Sequence, residues 1–145
     1  QVSDLADALY TPDELDDHLP KIDYLIVSAP LTAETENMIG ACQFERMKPT
    51  SVLINLARGE IVDQDALMIA LEDDQIAGAG LDVFVPDPLP CGHPLFKTKN
   101  LILTPHIAGT SPEMWRLITD VFIDNIGRYR AGRELINQVD KRKGY

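Results

Sequence analysis

Short apolar segments alternate along the chain with amphipathic segments. The apolar segments are short and bounded by proline, glycine or charged residues, and the segment 51–56 is also β-branched, which favours buried strands over helices. They lie at residues 23–29, 51–56, 78–84 and 101–103. Helical spacing and capping residues predict helices at residues 11–19, 32–40, 41–47, 63–73 and 111–132. Strands that alternate with helices predict an α/β fold with a parallel sheet covered on both faces.

Composition narrows the range of partners. The 145 residues suffice for one domain with a core. A net charge of −10 argues against binding to nucleic acid or to an anionic membrane surface. The two cysteines, Cys42 and Cys91, form no metal-binding spacing and predict reduced thiols, as in a cytoplasmic protein. No metal site, signal peptide or membrane-spanning apolar run is predicted.

The turn after the second strand carries the first candidate for chemistry. The apolar run 51–56 stops at Arg58-Gly59, and Asp63 then provides a helix cap. In open α/β sheets, ligands bind at the turns beyond the carboxyl ends of the strands. Arg58 is therefore a candidate ligand-binding residue, although a lone arginine in a turn also suits an ordinary surface salt bridge.

The ends of the other strands carry further polar groups. Asp82 and Asp87 follow the third strand, and His106 follows the fourth. Because parallel strands end at one edge, these groups are expected to converge with Arg58. A guanidinium can bind a carboxylate with two parallel hydrogen bonds, and an imidazole paired with a carboxylate can exchange a proton near neutral pH. This set suits hydride chemistry on a 2-oxo acid.

At these residues the sequence resembles the D-isomer-specific 2-hydroxyacid dehydrogenases. The segments that carry the resemblance are residues 56–63, 80–84 and 103–109, and the similarity extends from about residue 15 to the end. The resemblance implies a Rossmann-type doubly wound parallel sheet, NAD or NADP as cofactor, a small 2-oxo or 2-hydroxy acid as substrate, and a homodimer for the full-length protein.

The resemblance also implies individual roles. Arg58 matches the substrate-binding arginine, His106 the acid/base, and Asp82 the carboxylate that holds the nicotinamide carboxamide. Asp87 stands where the family has its catalytic glutamate and is one methylene shorter, which weakens or displaces its pairing with the histidine. The implied cofactor contacts are Ala29, Pro30, Leu31, Leu56, Ala57, Arg58, Asp82, His106, Ala108 and Gly109.

Part of the family pattern is missing from this sequence. It has neither the G-x-G-x-x-G turn that binds the pyrophosphate nor the acidic residue that binds the adenosine ribose. The expectation is therefore a partial dinucleotide-binding domain at residues 1–132 and a tail at residues 133–145 that returns to a substrate domain. The chain would be the carboxyl-terminal portion of a dehydrogenase, inactive alone and inclined to self-associate through the apolar strand 24–29.

Two alternatives remain open from the sequence. The chain could be a non-catalytic binding remnant, because the phosphate-binding turn is missing. It could also be a corepressor-like protein on the same fold, because such relatives can keep the arginine and the histidine. The choice between NAD and NADP also stays open.

Overall fold

The structure is a computed structural model that describes residues 5–142. The chain forms two compact units, Gln1–Pro105 and His106–Tyr145. The first unit holds a four-stranded sheet, and the second holds one long helix. The predicted division into residues 1–132 and 133–145 concerns functional domains and stays a prediction.

The sheet of the first unit is entirely parallel. Its strands are β1 (Tyr24–Val27), β2 (Val52–Asn55), β3 (Gly78–Leu81) and β4 (Leu101–Leu103), in the order β1-β2-β3-β4. All four predicted strands are present, and the parallel α/β fold is confirmed. The third strand ends at Leu81 rather than at residue 84, because the chain bends at Asp82.

Four α-helices accompany the strands. They are α1 (Leu15–His18), α2 (Ala41–Arg46), α3 (Gln64–Glu72) and α4 (Met114–Arg130), and short 3-10 turns lie at residues 12–14, 19–21, 59–61 and 94–97. The predicted cap of α3 is confirmed, because the Asp63 carboxylate accepts the backbone N–H groups of Asp65 and Ala66 at 3.0 Å each. Within residues 5–142, no helix is long and apolar enough to cross a membrane.

One predicted helix start is wrong, and one predicted helix is absent from its segment. The helix predicted to begin at Ser111 begins at Met114, because the Ser111 carbonyl accepts the Met114 N–H in a turn and Glu113 is the N-cap. The helix predicted at residues 32–40 is a hydrogen-bonded turn. There the Thr35 hydroxyl accepts the Thr32 N–H at 2.8 Å and donates to the Pro30 carbonyl at 2.7 Å. Such side-chain bonds to the backbone compete with helix formation.

The core of the first unit lies on one face of the sheet. Strand residues such as Leu53 and Leu81 pack with Phe44 of α2 and with Leu67 and Leu71 of α3. Right-handed crossovers between strands that follow one another in sequence order place their helices on one side. The first unit thus contains one of the two helix layers of a doubly wound sheet.

Apolar side chains also occupy the opposite face. Successive residues of a strand point to opposite faces, so the neighbours of the core positions face the other way. Among them Tyr24, Ile26 and Ile102 are more than half exposed. Since β1 is also an edge strand, the first unit presents both an apolar face and a free edge.

Self-association of the chain is therefore expected, and Ile26→Lys should weaken it by placing a charge on the exposed face. The matched control is Ile69→Lys on α3, because both isoleucines are 58% exposed. Light scattering over a range of protein concentrations measures the effect. A monodisperse monomer for the unsubstituted chain, or equal effects of the two substitutions, would contradict this expectation.

Candidate active site

The strand register of the first unit aligns the turns that carry the predicted residues. Val27 pairs with Asn55, Asn55 with Leu81, and Leu81 with Leu103. The four strands therefore end side by side, and the segments that follow them leave the same edge of the sheet. These segments begin with Ala29-Pro30-Leu31, Leu56-Ala57-Arg58, Asp82 and Thr104-Pro105 after their respective strands.

Asn55 organises the turn that leads to Arg58. It is almost completely buried, at 1% exposure. Its side-chain Oδ1 accepts the Ala57 N–H at 3.0 Å, and its Nδ2 donates to the Arg58 carbonyl at 2.8 Å. Sequence reasoning did not assign Asn55 a role. The available signal was a polar residue at a core-facing position of an apolar strand, two residues before a turn.

Arg58 presents its guanidinium at this edge. The residue is exposed and has an extended backbone. Its Nη1 donates to the Ala57 carbonyl at 2.7 Å, and no carboxylate of residues 5–142 forms an ion pair with it. The structure thus shows no surface salt bridge for Arg58, and its other N–H donors suit a carboxylate ligand.

Gly59 brings the Arg58 turn against the start of the next loop. A Cβ atom at Gly59 would lie 2.3 Å from the carbonyl oxygen of Phe84 and 2.4 Å from its carbonyl carbon. Both residues are buried. The turn that carries Arg58 therefore packs directly on the backbone that follows β3, and only glycine permits this approach.

Asp82 is a buried carboxylate at the end of β3. It is 2% exposed, its Oδ1 accepts the hydroxyl of Thr104 at 2.5 Å, and its N–H donates to the Asn55 carbonyl at 3.0 Å. These bonds tie together the ends of β2, β3 and β4. Thr104 is a second residue for which the sequence predicted no role. Its bond spans 22 residues along the chain, so no local pattern revealed it.

Asp87 lies in the exposed loop after β3. It lines a cavity of about 230 Å³ together with mainly apolar side chains, including Phe84, Leu89, Phe96 and Leu103. Asp87 therefore lies beside a largely apolar wall, in the segment that follows the carboxyl end of β3.

The turn after β1 is fixed by its own side chains. The Pro30 carbonyl accepts the Thr35 hydroxyl, and Ala29 and Thr35 line a cavity of about 310 Å³ with Tyr10 and Met38. Pro30 and Leu31 are exposed. Their assignment as cofactor contacts stays a prediction.

His106, Ala108 and Gly109 belong to the second unit. All three are exposed, and His106 has a backbone φ of +53°, which is uncommon outside glycine but enriched in histidine. The predicted convergence of His106 with Arg58, Asp82 and Asp87 stays a prediction, as do the roles of all the site residues.

A parallel α/β sheet with polar turns at its carboxyl edge defines the class of open α/β proteins that bind ligands at this edge. Residues 1–108 match the family model of the D-isomer specific 2-hydroxyacid dehydrogenase, NAD binding domain. The chain belongs to this family, as the resemblance indicated.

Similar proteins agree with this assignment. The glyoxylate reductase of Korarchaeum cryptofilum (strain OPF8) is 42% identical over 132 residues, which cover 89% of the chain and 39% of that protein. A D-isomer specific 2-hydroxyacid dehydrogenase from Xanthobacter autotrophicus Py2, solved with NADPH and MES, is 38% identical with a TM-score of 0.83. The match covers 92% of the chain and 54% of that structure's chain.

A third match is an NADPH-dependent glyoxylate/hydroxypyruvate reductase from Sinorhizobium meliloti, solved with NADP and sulfate. It has a TM-score of 0.86 and 30% identity, over 94% of the chain and 44% of that structure's chain. The chain thus spans roughly two fifths to one half of the length of these proteins.

The matched family model is that of an NAD binding domain, and the chemistry of the first unit is compatible with the nicotinamide end of this cofactor. A nicotinamide carboxamide donates hydrogen bonds, and the buried Asp82 offers a carboxylate at the edge where three turns meet. The 145 residues contain no G-x-G-x-x-G sequence, so the pyrophosphate end lacks the glycine-rich turn of the family.

Proposed function

We propose that this chain supplies the substrate arginine and the nicotinamide side of an NAD(P)-dependent reductase for small 2-oxo acids. The observation that carries the proposal is the arrangement at one sheet edge, where Arg58 follows β2 and Asp82 follows the neighbouring β3. Glyoxylate and hydroxypyruvate are the proposed substrates, because reductases of these acids are among the relatives.

The residues divide the work according to their chemistry. Arg58 binds the substrate carboxylate with two parallel hydrogen bonds and draws electron density from the adjacent carbonyl. His106 donates the proton to the carbonyl oxygen, and Asp87 holds the imidazole in the orientation and tautomer that this transfer needs. Asp82 accepts hydrogen bonds from the nicotinamide carboxamide. The hydride comes from the reduced nicotinamide when the cofactor is bound.

The proposed reaction needs more than these 145 residues. The support is that the relatives are about twice as long and that the sequence contains no glycine-rich phosphate-binding turn. We further propose that the full-length protein is a cytoplasmic homodimer, as the sequence indicated.

The inactivity of the isolated chain can be tested directly. NADH or NADPH mixed with the isolated chain and glyoxylate should show no loss of reduced-nicotinamide absorbance. Turnover by the isolated chain would contradict this part of the proposal.

A chimera tests the reductase function itself. The chain replaces the matching 132-residue part of the Korarchaeum glyoxylate reductase, and glyoxylate reduction is followed by reduced-nicotinamide absorbance. We expect activity in the chimera and a loss of kcat/KM on the order of a hundredfold or more in Arg58→Ala, because hydrogen bonds to charged groups contribute about 1.5–3 kcal/mol each.

The matched control is Arg46→Ala. Arg46 is an exposed arginine on α2, and its guanidinium lies 3.5 Å from the Asp16 carboxylate. We expect activity close to that of the unsubstituted chimera. A folded chimera that binds NADPH and keeps full activity in Arg58→Ala would overturn the assigned role of Arg58.

A further inference from the structure

We propose that Gln64 is a positioning residue that holds the loop carrying Asp87. Its side-chain amide makes two hydrogen bonds with the backbone of Val85. Nε2 donates to the Val85 carbonyl at 2.6 Å, and Oε1 accepts the Val85 N–H at 2.9 Å. The amide therefore binds both the N–H and the carbonyl of Val85, as the backbone of a neighbouring strand does. Val85 lies two residues before Asp87.

The loop has few backbone donors that could fix its shape. Val85 and the three residues after it are exposed, and Pro86 and Pro88 have no backbone N–H. Two of the four positions from 85 to 88 therefore lack the donor with which a loop usually fixes its own shape. The Gln64 amide satisfies both backbone groups of Val85 at the point where the chain leaves the buried Phe84.

Gln64 is itself held firmly. It is the first residue of α3, directly after the capped position Asp63, and the helix buries Leu67 and Leu71 in the core. The backbone of Gln64 is therefore fixed by a packed helix, and its amide reaches Val85 from a fixed starting point.

The same segment is also held by a close approach to Gly59. The backbone of Phe84 packs against Gly59, and Val85 is bound to Gln64. Two adjacent residues of the loop are therefore tied to the segment that runs from Arg58 to α3. The consequence is that the backbone preceding Asp87 has a set position relative to the Arg58 turn.

This inference rests on the proposed role of Asp87, for which placement is critical. Aspartate is one methylene shorter than the glutamate of the family, so its side chain cannot make up for a displaced backbone. Misplacement of catalytic groups by about 1 Å can cost a hundredfold in rate. In this chain, Gln64 supplies the placement that the shorter side chain requires.

Nuclear magnetic resonance of the 145-residue chain tests the proposal without turnover. The first unit has its own hydrophobic core, and every sample carries Ile26→Lys to weaken the expected self-association. The variants are Gln64→Ala, which removes both bonds, and Gln64→Glu, which keeps only the acceptor for the Val85 N–H. Asp65→Asn is the control, because Asp65 is the exposed neighbour of Gln64 and its side chain makes no hydrogen bond or ion pair within residues 5–142.

Hydrogen exchange of the Val85 amide and the carboxyl-carbon resonance of Asp87 are the two readouts. We expect exchange to be about fivefold faster or more in Gln64→Ala, since a hydrogen bond contributes about 1 kcal/mol. A smaller increase is expected in Gln64→Glu and none in the control. The Asp87 resonance should move or broaden in the same order.

Unchanged exchange at Val85 in both Gln64 variants would overturn the proposal that the Gln64 amide holds Val85. Faster exchange with an unchanged Asp87 resonance would overturn the positioning role and leave only a local structural one. Because neither readout depends on reduction of a 2-oxo acid, failure here is distinguishable from failure of the proposed reductase function.

Discussion

Gly59→Ala is expected to destabilise the first unit by about 3 kcal/mol, the upper end of the cost of inserting a methyl group into a packed interior. The new Cβ would lie 2.3 Å from the Phe84 carbonyl oxygen and 2.4 Å from its carbonyl carbon. Both atoms belong to the backbone, so no side-chain rotation relieves the overlap. The free energy of unfolding, measured by urea titration with circular dichroism, gives the effect.

Gly80→Ala is the matched control. A Cβ at Gly80, in the middle of β3, meets no heavy atom within 4 Å. Alanine there loses less backbone entropy on folding than glycine, so we expect equal or slightly higher stability. Equal unfolding midpoints for the two variants would show that the Gly59–Phe84 approach does not constrain the fold.

The role of Gly59 shows what the sequence could and could not predict. The pair Arg58-Gly59 predicts a turn, and the turn is present. The reason for glycine is different from the predicted conformational freedom, because Gly59 does not have a positive φ. It is a close approach to a residue 25 positions later in the chain, a tertiary contact that no local pattern contains.

The caps follow the same division between local and distant causes. The prediction that Asp63 caps α3 is confirmed. Its carboxylate accepts N–H groups only two and three residues away, so the local sequence contains the whole interaction. Ser111 was not the cap, since its carbonyl instead closes a turn with Met114. In the segment after β1, the hydroxyl of Thr35 reaches back to Pro30, and this bond excludes the predicted helix.

The sequence predicted the part of the candidate site that follows from the order and direction of the strands. Alternating apolar segments predicted parallel strands, and parallel strands place Arg58 and Asp82 at one edge. The supporting residues were missed because their bonds join distant positions. Gln64 and Val85 are 21 residues apart, and Thr104 and Asp82 are 22 apart. His106 lies in the second unit, so its pairing with Asp87 stays a prediction.

Asn55→Ala is expected to destabilise the first unit by about 2–4 kcal/mol. The substitution removes the partners of the Ala57 N–H and the Arg58 carbonyl. An unsatisfied buried polar group costs about 1–3 kcal/mol. Asn55 is only 1% exposed, so water does not readily replace the lost bonds. Urea unfolding of the chain measures this loss.

Asn125→Ala is the control of equal chemistry. Asn125 also makes one donor and one acceptor bond to the backbone, with its Nδ2 donating to the Ile136 carbonyl and its Oδ1 accepting the Ile136 N–H, but it is only partly buried and lies in the second unit. Water can replace those bonds, so we expect a loss below about 1 kcal/mol. An equal loss in both variants would mean that burial of the Arg58 turn contributes nothing.

Asn55→Asp separates the two hydrogen bonds. The introduced carboxylate keeps the acceptor for the Ala57 N–H but places an oxygen against the Arg58 carbonyl, so the donor is lost. Burial raises the pKa of such a carboxyl above its value in the unfolded chain. Below the unfolded pKa the protonated group can donate again, so the deficit relative to the unsubstituted chain should be smallest in acid. It should grow as the pH rises through the raised pKa. A deficit that does not change with pH would show that the Arg58 carbonyl does not need the Asn55 donor. The turn would then owe its shape to the bond from the Ala57 N–H and to the close approach at Gly59.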